Sequence, residues 1–196
     1  MKIKKNLLTL IIYFFTFSNL YSLEPDIFVQ STVNRASKVL SDNISKERKI
    51  KELQTIAKET VDILGIGFYT LGSSRKNLSS DQKAEYTNLF EKYFLKSFAS
   101  RLAEYTNPEI DVLGKEVLSE KYTIVNSLLK GTNDRPEVKI DWRIYTKNPN
   151  NPLIRDLIIE GLSLARTQKE EFASILNSNE NNINVLFTTL EDFAKN

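Results

Sequence analysis

Asp156, Glu160, Gly161 and Ser163 fall in one run, Asp-Leu-Ile-Ile-Glu-Gly-Leu-Ser, and with Asp141 they hold the carboxylates best placed for proton chemistry. Such groups work as an acid/base pair only if strand register brings them together and burial shifts a pKa. The same residues have a simpler reading as a joint. An apolar strand, Leu153 to Ile159, ends at Gly161, whose missing Cβ allows a sharp turn. Ser163 is placed to cap the helix that follows, and Glu160 lies where a carboxylate can accept from the same orphan N–H groups. Asp141 reads as a solvated strand residue.

Other chemistries are excluded outright. The 196 residues contain no His and no Cys, which removes Ser-His-Asp and Cys-His catalysis, thiolate chemistry and the commonest zinc sites. Gly65-Ile66-Gly67 lacks the further glycines and lysine of a phosphate loop. The acids near Asp81 and Asp134 are too scattered for calcium. No metal site, cofactor or catalytic set emerges.

The elements that must position these residues change period along the chain. A helix opens at Pro25 with Val29, Val33, Ala36 and Leu40 on one face. A second, capped by Ser45, keeps the period through Ile50, Leu53, Ala57, Val61 and Leu64. A short segment from Gly65 stops at Gly72, a C′ glycine, with Phe68 and Leu71 in its apolar part. Ser79 and Ser80 start the longest helix, running to Tyr105 with the stripe Tyr86, Phe90, Tyr93, Phe94, Phe98, Leu102 and Tyr105. Four strands then read as Ile110–Val112, Tyr122–Leu129, Val138–Tyr145 and Leu153–Ile159, linked by turn-rich stretches that favour antiparallel pairing. Two helices, from Ser163 and from Asn182, finish the chain. The expected fold is α+β, a four-stranded antiparallel sheet with helices packed on one face.

Apolar surface is abundant for a domain of this size. Leu128-Leu129 and Leu157-Ile158-Ile159 are apolar on both faces of their strands. The layout closes around a solid core or around a cavity, and pattern alone does not separate the two. If a cavity forms, the residues expected to line it and bind an apolar ligand are Phe68, Leu71, Phe90, Phe94, Phe98, Ile124, Leu128, Trp142, Ile144 and Ile158.

The first residues read as an export signal. Lys2, Lys4 and Lys5 precede the apolar run Leu7 to Phe17, which is too short for the ~20 residues a spanning helix needs. Residues 1–22 are thus expected to be cleaved, leaving 23–196 as one domain. Cleavage takes three lysines and no acids from a formal charge of +2, leaving −1. The remaining lysines alternate with glutamates, and nucleic acid is not an expected partner.

Three stretches together resemble the MlaC family, the periplasmic phospholipid-binding component of the Mla system, also called the toluene-tolerance auxiliary transport protein. Tyr69-Thr70-Leu71-Gly72, Leu78 to Lys83 and the aromatic helix are similar to the family's Leu-Gly, Thr-Pro-x-Gln and Phe-rich sequence, with Ser80 in the place of the proline. Val138 to Arg143 is similar to its third strand, and Asp156 to Ser163 to its most distinctive motif. The resemblance implies a monomeric carrier with a cone-like cavity. It would pass one phospholipid between an outer-membrane lipoprotein–porin complex and an inner-membrane ABC transporter bearing an MCE-domain subunit, so maintaining outer-membrane lipid asymmetry. Two alternatives stand beside it. One is a steroid-isomerase-like enzyme on a similar cone, with Asp141 or Asp156 as base and Tyr145 or Tyr122 as oxyanion donor. The other is a periplasmic chaperone.

Overall fold

The computed structural model describes residues 23–133 and 135–195. The export segment read in residues 1–22 lies outside them. Helices α1 (Pro25–Ser41), α2 (Lys46–Thr60), α3 (Ile63–Thr70) and α4 (Ser80–Leu102) precede the strands β1 (Ile110–Ser119), β2 (Tyr122–Leu129), β3 (Val138–Tyr145), β4 (Leu153–Ile159) and β5 (Leu162–Ser163). Helices α5 (Leu164–Asn177) and α6 (Ile183–Lys195) follow. The strands form one antiparallel sheet in chain order, β1 to β5. The fold is α+β as expected, with five strands rather than four. Among the described residues no helix is long and apolar enough to cross a membrane.

Local chemistry accounts for the element ends. Ser45 accepts from the Arg48 N–H at the start of α2, and Ser79 and Gln82 form a reciprocal capping box on α4. Gly72 follows Leu71, the C-cap of α3, with φ +56°, the left-handed conformation that favours glycine there. At Gly67 the reason for glycine is space, since a Cβ there would lie 2.8 Å from the Phe90 ring. That close approach seats α3 on the aromatic stripe of α4, where the buried Tyr86 hydroxyl pairs with Thr70 Oγ1 at 2.8 Å and donates to the Gly67 carbonyl at 3.1 Å. Burial pushes the Tyr86 phenol far above its ordinary pKa.

Three boundaries differ from the periodic reading. The second helix stops at Thr60 because Val61 bridges to Ile154 and the Asp62 N–H donates to the Ile154 carbonyl. The Asp62 side chain then caps α3 through the Gly65 N–H, leaving Leu64 exposed. Strand β1 runs on to Ser119, its alternation hidden by register breaks between Val112 and Gly114 and between Val117 and Ser119. Helix α4 ends at Leu102, three residues early, where the Tyr105 N–H turns back to the Leu102 carbonyl.

The joint after β4 is a hairpin before it is a helix start. Glu160 and Gly161 have φ of +48° and +82°, the two positive values of a type I′ turn, and Leu162–Ser163 pair back onto Ile158–Ile159. The Glu160 carboxylate therefore does not serve the N-terminus of α5. It accepts from the Lys139 backbone N–H at the end of the β3–β4 ladder. Nothing lies within 4 Å of a Cβ built on Gly161, so only its backbone angle demands glycine. Gly161→Val is expected to cost about 1–2 kcal/mol through that angle. Urea denaturation measures it, and an unchanged midpoint would contradict this account of the turn.

Candidate functional site

The inner face of the sheet is set by register. Trp142 lies opposite Val125 and Leu157, and Ile144 opposite Thr123 and Ile154, so these residues point toward the helices. A bulge at Arg155 breaks the pairing between Arg143 and Ile144. That extra residue lets Ile154 and Leu157, three apart, both face inward. It also re-aims Arg155, which ion-pairs with Asp62 and lies 4.8 Å from the centre of the Tyr145 ring.

Between this face and the helices lie two apolar chambers. The first, about 190 Å³, runs between α4, β4 and the first half of α5. Phe90, Phe94 and Phe98, one turn apart, form its wall, with neighbouring rings 6.2 and 5.5 Å apart. The second, about 150 Å³, lies between α1, α2, the end of α4 and the sheet. Val61, Phe98, Trp142, Ile154 and Leu157 line both chambers and form the wall between them. Among the described residues no charged side chain lines the second chamber, and the hydroxyls of Thr32, Ser37 and Thr60 donate to the backbone carbonyls of Phe28, Pro108 and Ile56.

Of the residues expected to line a cavity, Phe90, Phe94, Phe98 and Trp142 border the first chamber, the last two bordering the second as well. Ile144 and Leu71 are buried in the solid core instead, and Phe68 packs over Gly67 and Phe90 at a small surface groove. Ile124, Leu128 and Ile158 point to the opposite face of the sheet, opposite Arg143, Lys139 and Asp141. In β2 the phase is one residue off because both faces are apolar. The inward signal is a polar residue, Ser127, which is fully buried and accepts from Trp142 Nε1 at 2.8 Å. In β4 the bulge at Arg155 shifts the phase.

The polar joint borders the first chamber. Asp156 is 4% exposed, and one oxygen accepts from the Ala165 N–H at 3.0 Å, the other from the Ser163 hydroxyl at 2.6 Å. Ser163 in turn accepts from the Arg166 N–H at 3.1 Å, capping α5, and Arg143 lies 3.6 Å from the same carboxylate. Asp156 thus fills the place that sequence reading gave to Glu160. Asp141 lies on the opposite sheet face, bonded to Asn126 at 2.8 Å, and Tyr122 and Tyr145 pack on each other there, 5.4 Å between ring centres. None of these residues presents a free carboxylate to an apolar chamber.

The opening of the first chamber is marked by its exposed lining residues, Arg101, Leu164 and Glu171. Inside it the Tyr93 hydroxyl donates to Gln168 at 2.7 Å, and the Gln168 amide donates to Glu171 at 2.8 Å. Burial, and then the nearby Glu171 carboxylate, push the Tyr93 phenol above its ordinary pKa. Sequence reading missed this polar rim, since its members alternate with apolar residues and read as solvated helix faces.

A family model described as MlaC protein matches residues 30–192 of the chain. No curated protein matches it by sequence. Among solved structures, a phospholipid-binding protein from Ralstonia solanacearum, determined in complex with a phospholipid, superposes with a TM-score of 0.73. The two are 18% identical over 88% of this chain and 98% of the other, a likeness of fold.

Proposed function

Because the chain belongs to the MlaC family, we propose that it is a phospholipid carrier of the periplasm. In this reading it shuttles lipid between an inner-membrane ABC transporter with an MCE-domain subunit and an outer-membrane lipoprotein–porin complex, and so maintains outer-membrane lipid asymmetry. The observation that carries the proposal is the pair of adjoining apolar chambers, the first of them with a polar rim. Each methylene removed from water gains ~0.8 kcal/mol, so acyl chains demand enclosure while a head group stays wet. Two chambers divided by Phe98 and Trp142 suit the two chains of a diacyl lipid. The similar Ralstonia protein, with its bound phospholipid, supports the same reading. The carboxylates considered for catalysis are engaged in caps and cross-strand contacts.

Expression of the full chain in a Gram-negative host, with mass spectrometry of the purified protein under native and denaturing conditions, tests the proposal. One diacyl phospholipid per chain is the expected result. A protein that carries a peptide, or that takes up no lipid from phospholipid vesicles, would overturn it.

A further inference from the structure

The charged residues that line the first chamber are Arg101, Asp156 and Glu171, and they differ in commitment. Asp156 is buried with its oxygens taken by Ser163 and Ala165. Arg101 and Glu171 are exposed at the opening, and among the described residues neither has an ion-pair partner. The guanidinium of Arg101 has no hydrogen-bond partner there either, and Glu171 accepts only from Gln168. Tyr93, Ser97 and Arg101 follow one another at four-residue spacing, so Arg101 stands two helical turns from Tyr93 on the face of α4 that lines the chamber. Glu171 belongs to α5, which forms the other side of the opening. A cation without a partner on α4 and a carboxylate held only by Gln168 on α5 thus lie at the entrance to a mainly apolar space.

Resting on the carrier reading above, we infer that this rim recognises a zwitterionic amine head group, Arg101 taking the lipid phosphodiester and Glu171 the ammonium. A guanidinium presents paired donors to phosphate oxygens. An ammonium beside Glu171 gains a charge-assisted hydrogen bond, whereas an uncharged glycerol head group gains only a neutral one. Phosphatidylethanolamine carries both charges; phosphatidylglycerol carries the phosphate alone. The rim is partly exposed, which limits the gain from the ammonium to that of a surface ion pair, roughly three- to fivefold in occupancy.

The test is competitive loading. The purified full-length mature protein, stripped of lipid, is incubated with vesicles of equimolar phosphatidylethanolamine and phosphatidylglycerol of matched chains, and bound species are counted by native mass spectrometry. The wild type is expected to favour phosphatidylethanolamine by roughly three- to fivefold. Glu171→Gln is expected to abolish that preference while total loading is kept, and Arg101→Gln to lower loading of both lipids alike. Both positions are exposed, so folding is expected to be unaffected, and circular dichroism checks it. Equal loading of the two lipids by the wild type, or a preference that survives Glu171→Gln, overturns the inference while leaving the carrier intact. A wild type that takes up neither lipid overturns the carrier reading and the inference with it.

Discussion

Phe98→Asp is expected to cut the phospholipid retained per folded protein at least tenfold, the largest functional effect of any single change considered. Phe98 borders both chambers, stacked on Phe94 with rings 5.5 Å apart and 10° from parallel. A carboxylate there faces acyl chains from two sides, and an uncompensated charge in apolar surroundings costs several kcal/mol unless it reaches water or neutralises. Because Phe98 is only partly buried, the aspartate can turn toward solvent in the lipid-free protein, so the fold is expected to survive where the lipid complex does not. Lipid extraction normalised to folded protein, with circular dichroism alongside, measures both. Phe94→Arg, in the first chamber alone, should weaken retention less. If both variants hold lipid at the parental level, the chambers are not where the acyl chains lie.

Asp156→Ala is expected to have the largest effect on stability, a loss of about 2–4 kcal/mol, because a buried carboxylate with charged and hydrogen-bonded partners is removed. The change leaves the Ala165 N–H unsatisfied, frees the Ser163 hydroxyl of its acceptor and strips Arg143 of its carboxylate. For a domain of this length such a loss lowers the melting temperature by roughly 5–15 °C. Asp156→Asn should cost less, since its amide oxygen still accepts from Ala165. Ser163→Ala should lie near it, at about 1 kcal/mol for a lost cap. In all three, lipid bound per folded molecule is expected to stay near the parental level, because the contacts of the group hold the β4–α5 joint together. An Asp156→Asn protein of unchanged stability and lipid content that no longer functions would restore the enzyme alternative.

Much of this was legible from particular residues. The i, i+4 spacing of Phe90, Phe94 and Phe98 places their rings on one face of any α-helix, whatever packs against it. The alternation of Val138, Ile140, Trp142 and Ile144 set the phase of β3, because its other face carries Lys139, Asp141 and Arg143. The capping residues Ser45, Ser79 and Ser163 act on donors within three positions, so their roles need no tertiary partner.

Other features depended on contacts distant in sequence. A strand that is apolar on both sides, like Ile124-Val125, carries no phase of its own. The choice was made by Ser127 meeting Trp142, fifteen residues away. A bulge such as that at Arg155 leaves no mark in composition, yet it turns Ile154 and Leu157 to the same side and Ile158 to the other.

Sequence by itself determined the α+β class, the aromatic wall, the helix caps and the motifs of the family, all properties of local spacing. Only tertiary structure decided that apolar surface encloses two chambers rather than one solid core, that Asp156 rather than Glu160 serves the α5 joint, and that Arg101 and Glu171 line one opening. The reason is physical. A void and a rim are set by the distance at which helices come to rest on a sheet, and that distance is fixed by side chains that lie far apart in the chain.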